Sequence, residues 1–545
     1  MAELTIVFRL RFAVALTLAL ALLLGFTARD AWGAEYIVQM DAGSAPSKGA
    51  ALVERLGGRV TSPQLDVING FGARLDAGDA ARLEASPGVR AVSPNGGVTA
   101  SSHTTEQDTS GGFRCPRTDT TTRRARRVKI KKLRPWDLSP LASVPRLAQP
   151  LQHSVRAGRA WLRATGSGVG VAVIDTGIAG DLADFRDSED PTQSRVVATA
   201  VTNPCARDAN DHFGHGTHVA GLIAGNSMHN PDPQRGRYMG IAPDADLIAV
   251  KTSDDDGNTT VLDVIYGIQF AVDHREQFGI RVINLSLSST VAESYLTDPL
   301  DAAVESAWFH GMVVVAAAGN AGTRGDAVDY APGNDPFVIT AGSTDDRGTW
   351  GNSDDVLAPW SSHGLTQDGV RKPEVLAPGV RLVAALAPNS DFTDLCPDCV
   401  VDGRYFRVSG TSMSAAVVSG VAALMLEVHP DWTPNQVKGA MVATLANVPG
   451  AGAAVDAAAA LDGSGSANTG LVPSTLVSPE TGDIDWARAS FRRASFRDAG
   501  ESSLDAWWSR ASFRCDCSLL DSGEVDPSRS SFRAAGFQRT TQFEE

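Results

Sequence analysis

Five apolar runs recur between residues 151 and 462: "GVAVIDTG", "ADLIAVKT", "RVINLSLS", "GMVVVAAAGN" and "PFVITAGS". They are almost unbroken Val, Ile and Ala, the pattern of strands covered on both faces rather than on one. The segments between them, such as "VLDVIYGIQFAVDHREQ" and "LDAAVESAWFHG", repeat apolar residues at helical spacing. Strands alternating with helices predict a parallel sheet between two helical layers, an α/β fold. Such sheets deliver chemistry beyond the carboxyl ends of their strands.

The whole chain has 545 residues, too many for one small core, so several units and linkers are expected. Residues 1–33 read as a secretory signal: Arg9 and Arg11, an apolar run from Phe12 to Phe26, then Ala31-Trp32-Gly33. An uncleaved anchor is the rival reading, and the run is short for a membrane span. Residues 34–96 alternate strand and helix patterns over a length too small to be stable alone. Residues 97–150 turn Ser/Thr-rich, then basic ("RRARRVKIKK", Arg123 to Lys132), then Pro-rich. This is a linker whose charge run is most simply a solvated loop, with a polyanion or membrane contact as the second reading. Residues 463–545 carry "RASFR" at 488–492, 493–497 and 510–514 and "RSSFR" at 529–533, with few aliphatics. That composition predicts a flexible tail. Net charge is 48 − 63 = −15, which argues against a nucleic-acid binder.

Of six cysteines, Cys115, Cys205, Cys396, Cys399, Cys515 and Cys517, the spacings fit no strong zinc pattern. Disulfides or free thiols are expected, with the pairing open.

Within 151–462 three polar residues stand where a sheet would present them. Asp175 ends "VAVIDTG", a position where a buried carboxylate needs a partner. His215 lies in "DHFGHGTHVAGLIAG", and Ser412 follows the small-residue turn "SGT" at the head of a long apolar stretch. A serine hydroxyl needs a base to take its proton, and a histidine base needs a carboxylate to fix its tautomer. Ser412 alone reads plainly as a helix cap; His218, three residues after His215, is an alternative base but is more simply a packed neighbour further into the helix. Asn320, ending "VVVAAAGN", suits an αL turn or an amide donor to an oxyanion.

Taken together, "VAVIDTGI", "HGTHVAGLIAG", "VINLSLSS", "VVVAAAGN", "GTSMSAAVVSGVAALML", "HPDWTPNQVKGAM" and "SSHGLTQDGVRKPEVLAPGV" resemble the subtilisin-like serine proteases, the subtilases. The order Asp, His, Ser is the subtilisin order. The resemblance covers residues 151 to 450 and implies a three-layer subtilisin-like fold with a mostly parallel sheet. It implies Asp175 as orienting carboxylate, His215 as general acid/base, Ser412 as nucleophile and Asn320 as oxyanion donor. Ser286, Leu287 and Ser288, with Ala317, Ala318 and Gly319, would line a cleft in which an extended substrate pairs its backbone. Small wall residues imply room for an apolar or aromatic side chain before the cut.

Residues 34–96 resemble the family's inhibitory propeptide, a small α+β domain, through "YIV", "GGRV", "INGFGARL" and "PGVRAVSPN". The resemblance thus implies a secreted endopeptidase made as a self-cleaving zymogen. Its partners would be protein substrates and its own propeptide, with the tail or basic linker as candidate cell-surface contacts. Cleavage is expected near or beyond residue 96, with the basic block as a second site. No cofactor is needed for the chemistry. Structural calcium is common in the family, but "SDDDGN" (Ser253 to Asn258) is equally an exposed turn, and no metal ligand is assigned. One departure stands out: Ala416 and Val417 replace the family's proline and histidine. Proline early in a helix is favourable but not required, so activity is still expected. Two other readings, a binding protein with a dead protease fold and a non-proteolytic hydrolase with triad order Ser, Asp, His, do not explain this set of residues.

Overall fold

The structure, a computed structural model, describes residues 33–41, 44–100, 147–474 and 477. The expected signal segment, the Arg123–Lys132 block, the RASFR repeats, Cys115, Cys515 and Cys517 lie outside the described residues. The described chain forms two compact units, one from the residues up to and including Gln64 and from Gly70–Asn95, the other from Leu65–Asn69 and from Gly96 onward.

The small unit is a four-stranded antiparallel sheet in the order Arg59–Val60, Gly70–Leu75, Ala34–Met40, Val89–Pro94. Side chains alternate along a strand, so Tyr36, Val38 and Met40 share one face. They pack with Phe71, Ala73 and Leu75 against Val53 of helix Pro46–Arg55 and Leu83 of helix Ala77–Glu84. Asp76 caps the second helix by accepting the Asp79 N–H at 2.8 Å, as a starting aspartate should.

In the large unit all five apolar runs become strands: Gly170–Asp175, Asp246–Lys251, Ile280–Leu285, Val313–Ala317 and Ile339–Asp345. The ten-stranded sheet runs Val196–Val201, Asp246–Lys251, Gly170–Asp175, Ile280–Leu285, Val313–Ala317, Ile339–Asp345, Val375–Pro378, then the short Gly452–Ala454 and Ala446–Val448. Val356–Leu357 pairs beside this path. Pairing is parallel from the first edge to Gly452–Ala454, and antiparallel for Ala446–Val448 and Val356–Leu357. The chain grows to one side of Gly170–Asp175 and, from Ile280, to the other. The reversal therefore falls between the neighbours Gly170–Asp175 and Ile280–Leu285, and a crevice is expected at their carboxyl ends.

Helix Thr411–Val428 is apolar on all sides and buried from Thr411 to Leu426. It packs on strands Ile280–Leu285, Val313–Ala317 and Ile339–Asp345 and on helix His215–Ala224. A helix with no polar face must be interior. Its length and composition would suit a membrane span, but 89% of it is buried within the protein.

The large unit also encloses carboxyl groups. Asp298 caps helix Pro299–Phe309, its Oδ1 accepting from Leu300 N and Asp301 N at 2.7 and 3.3 Å. Asp301, Glu305 and Asp335 are fully buried nearby. Glu305 accepts the Ser474 N–H on both oxygens, and Asp335 Oδ1 accepts from Phe337 N and Val338 N. Burial raises all four carboxyls, Asp298 and Asp335 to about 6. A carboxyl with a raised folded pKa keeps its proton longer folded than unfolded. Its stabilisation is complete below the unfolded pKa of 3.8 and is lost as pH rises through about 6. Asp335→Asn retains the acceptor oxygen and removes the charge. In urea unfolding at pH 4 and pH 7, on a Ser412→Ala background to prevent self-digestion, the variant should gain about 2–3 kcal/mol on its parent between the two pH values. A difference independent of pH would contradict this.

Candidate active site

Asp175 closes its strand at the reversal point, and the chain turns immediately after it. Its Oδ1 accepts from Thr176 N and from His215 Nδ1, each at 2.7 Å. The pair is almost wholly buried. Burial drives the imidazole pKa down, but the carboxylate of Asp175, helped by Asp211, more than offsets this and raises it above 6.5. His215 Nε2 is buried and makes no hydrogen bond.

His215 opens helix His215–Ala224, and two residues overlooked in the sequence set its angle. Asp211 Oδ1 accepts from Gly214 N (2.7 Å) and Thr176 Oγ1 (2.8 Å). Its Oδ2 accepts from Thr217 N (2.8 Å) and Thr217 Oγ1 (2.6 Å). Thr176 Oγ1 in turn accepts the Gly216 N–H at 2.9 Å. One carboxylate therefore satisfies orphan N–H groups of the helix start and ties them to the Asp175 strand. The signal was present as an aspartate four residues before the histidine. Gly216 is required here, because a Cβ would collide with the Gly177 carbonyl oxygen. His218, the alternative base, is not placed for that task. Burial, then His215, drive its pKa down to about 3, and its Nε2 faces the carbonyls of Leu382 (3.3 Å) and Phe406 (3.0 Å).

Ser412 is the second residue of helix Thr411–Val428 and fully buried. Its Oγ donates to the Ser286 carbonyl at 2.9 Å rather than to His215. A polar thread supports that contact. Ser419 Oγ donates to Asn284 Oδ1, Asn284 Nδ2 to Ser286 Oγ, and Ser286 Oγ to the Ser412 carbonyl, each at 2.9 Å. The first N–H groups of the helix have no intrahelical acceptor. Ala416 and Val417 are fully buried in the same helix.

Asn320 is held in one orientation. Its Oδ1 accepts from Thr411 N and Thr411 Oγ1, both at 3.1 Å, while Thr411 Oγ1 accepts from Gly319 N at 3.1 Å. A backbone N–H can only donate, so the oxygen of the amide faces Thr411 and the NH2 is turned away from it. Thr411 was not singled out from sequence.

Of the residues expected to line a cleft, Leu287, Ser288 and Ala317 lie in strands, and Ser286, Ala318 and Gly319 adjoin them. Ala317 ends Val313–Ala317, and Ala318 N donates to Ala341 O at 3.0 Å. Leu287–Ser289 is the flank of a three-stranded antiparallel sheet, with Gly97–Ala100 in the middle and Thr259–Thr260 on the far side. Leu287 is opposite Ala100, Ser288 opposite Thr99 and Ser289 opposite Val98. The expectation that the whole of 97–150 is linker is therefore corrected at its start: 97–100 is a strand paired with Leu287–Ser289. Short length and the glycine pair Gly96-Gly97 hid it.

The acidic loop closes on itself, Asp254 Oδ1 accepting from Asp256 N and Asn258 N. Asp208, His212 and Asp255 bring donor atoms within 4.8 Å of one another. Asp255, however, is already paired with Lys251 at 2.7 Å and Arg207 at 2.5 Å. Cys396 and Cys399 form a disulfide.

A mostly parallel, helix-covered sheet that carries Asp, His and Ser in this chain order defines a subtilisin-like α/β fold. Residues 166–465, more than half of the chain, match the model described as the Subtilase family. The chain belongs to that family. It is 37% identical over 279 residues to the serine protease AprX of Bacillus subtilis, covering 50% of this chain and 60% of that one. It is 36% identical over 286 residues to a subtilisin of Bacillus pumilus, covering 51% of this chain and 84% of that one. The crystal structure of fervidolysin from Fervidobacterium pennivorans, a keratinolytic enzyme related to subtilisin, superposes with a TM-score of 0.55 at 24% identity. That superposition covers 80% of this chain and 62% of fervidolysin, and it speaks to the fold alone. The chain thus spans about three fifths of AprX.

Proposed function

We propose that this chain is a secreted serine endopeptidase, made as a zymogen that cuts itself. The observation that carries the reading is the buried 2.7 Å bond between Asp175 and His215, with the second imidazole nitrogen left without a partner. His218 also leaves one buried nitrogen unpartnered, but its other nitrogen faces only backbone carbonyls, so the carboxylate of Asp175 is what marks His215 as the base. In this reading Asp175 fixes the tautomer, so that Nδ1 carries the proton and Nε2 is a base. Ser412 Oγ leaves the Ser286 carbonyl, gives its proton to Nε2 and bonds to the substrate carbonyl carbon. The oxyanion is met by Ser412 N–H and the Asn320 NH2. His215 then protonates the leaving amine, and water repeats the sequence in reverse to free the acid. Ser286, Leu287, Ser288, Ala317, Ala318 and Gly319 shape the cleft.

Self-processing is supported by strand Gly97–Ala100, bound as an extended substrate would be. Thr290 N donates to Gly97 O at 3.2 Å, which makes that pair a hydrogen-bonded one. Hydrogen-bonded pairs alternate along an antiparallel ladder, so Thr99 opposite Ser288 is the next. Two residues beyond Thr99 in the chain comes Ser101, and Ser101–Ser102 is the bond we expect to be cut. Residues 34–96 then act as inhibitory propeptide, 1–33 as export signal, and the basic linker or RASFR tail as surface contacts. No metal is needed for this chemistry. The test is to express residues 34–545, label with a serine-directed fluorophosphonate, and sequence the new N-terminus. Labelling with an N-terminus at Ser102 is expected. Absence of both labelling and cleavage would overturn the reading, and a first cut between Arg123 and Arg134 would overturn the register argument.

A further inference from the structure

The His215 helix is braced by a part of the chain for which the catalytic reading has no role. Strands Leu382–Ala385 and Tyr405–Val408 are antiparallel neighbours, and residues 386–404 make an excursion between them. The chain continues from its second strand into Gly410, Thr411 and Ser412. At the tip is a single helical turn, Phe392–Leu395, followed by Cys396-Pro-Asp-Cys399 closed as a disulfide. Pro397, Asp398 and Leu395 (57% exposed) face solvent, whereas Phe392 is 1% exposed.

Phe392 points inward at the imidazole. Its ring stands edge-on to His215, 6.4 Å between centroids at 83°, and also meets Phe213 at 5.5 Å and Phe406 at 4.8 Å. Two backbone bonds hold the same turn to the segment that precedes the histidine: Asp391 N to His212 O (2.9 Å) and Phe392 N to Phe213 O (3.2 Å). The fit is close, since a Cβ on Gly214 would lie 2.8 Å from Ser390 Oγ and 2.9 Å from Phe392 Cγ, at a backbone φ of +108°. The imidazole therefore has a carboxylate on one side and a phenyl wall on another. One helical turn cannot hold that wall by itself, because a nucleus of this size is unfavourable. Besides those two backbone bonds, the Cys396–Cys399 bond closes the chain directly after the turn and restrains it further.

We propose that Phe392 is a positioning residue for His215, and that the Cys396–Cys399 disulfide is a redox latch on it. This rests on the assignment of His215 as general base. A dithiol supplies two electrons and two protons: the Cys396–Cys399 bond breaks to two thiols, and the dithiol closes to its own disulfide. The freed turn then loses its hold on Phe392, and the imidazole gains rotational freedom about its bond to Asp175. Because the closed loop is short, its constraint on the unfolded chain is small. The effect is local to the base rather than a loss of the fold.

The test compares the self-processed enzyme oxidised, reduced with dithiothreitol, and carrying Cys396→Ser with Cys399→Ser. Thiol labelling with mass mapping verifies which cysteines are reduced. Reduction should lower kcat by up to about a hundred-fold with KM unchanged, the scale of a ~1 Å displacement of a catalytic group. The double variant should start low and show no further response to dithiothreitol. Phe392→Ala should match it and shift the acidic limb of the pH profile, and Phe392→Leu should recover most of the rate. An unchanged kcat in verified reduced enzyme overturns the latch, as does a response that survives in the double variant. If the double variant does not fold, reduction of the wild type decides alone. Oxidised enzyme that neither labels nor cleaves would refute the protease reading instead, so the two failures are distinct.

Discussion

Ser412→Ala is expected to abolish turnover and leave residues 34–545 as one uncut polypeptide. Replacing the hydroxyl by hydrogen removes the proposed nucleophile and its bond to Ser286, and little else, since Ser412 is fully buried on a helix that small side chains fit. Members of a serine triad act as a unit, and losing the nucleophile costs about a million-fold in kcat. A residual rate of about a thousand-fold or more over water is expected from the oxyanion donors and binding. The measurements are peptide hydrolysis and a gel of the freshly made chain. A variant that processes itself at the wild-type rate would show that another group attacks the bond.

Asp175→Asn tests the other end of the relay and should lower kcat by about ten-thousand-fold. The amide can turn its NH2 to Nδ1, which sends the imidazole proton to Nε2 and leaves no base for Ser412. The pH profile gives a second, independent reading. The base must be neutral to work, so kcat/KM rises as pH climbs through the His215 pKa. Burial lowers that pKa, but the Asp175 charge and its hydrogen bond more than offset this, placing the wild-type limb above 6.5. Without the charge, burial dominates, and the limb should move to lower pH. A limb that stays where it was would mean that His215 is not the titrating base.

The parallel sheet was legible because fully buried strands read as continuous Val, Ile and Ala, and all five such runs are strands. The edge strand Val196–Val201 was missed because it exposes one residue and half-buries three, which dilutes the run. The Asp175–His215 pair was legible because a buried carboxylate at a strand end demands a partner. Asp211 and Thr411 were not, because their importance lies in which backbone groups they bond, and those are set by tertiary approach. The state of Ser412 was also invisible. Chain order gives the three residue types, but only coordinates show the hydroxyl held by the Ser286 carbonyl. Strand 97–100 belonged to the same class, since a four-residue segment acquires its meaning from the strands on either side of it.

The buried helix Thr411–Val428 and the exposed turn Phe392–Leu395 set the two halves of the site at opposite ends of the molecule's opening hierarchy. Amides in a helix enclosed on every side exchange with solvent only when the whole domain opens, whereas a single surface turn opens alone at far lower free energy. Ser412 should therefore be as durable as the domain itself. His215 shares a wall with that turn, so once the Cys396–Cys399 bond is reduced, warming should disorder His215 first and Ser412 last.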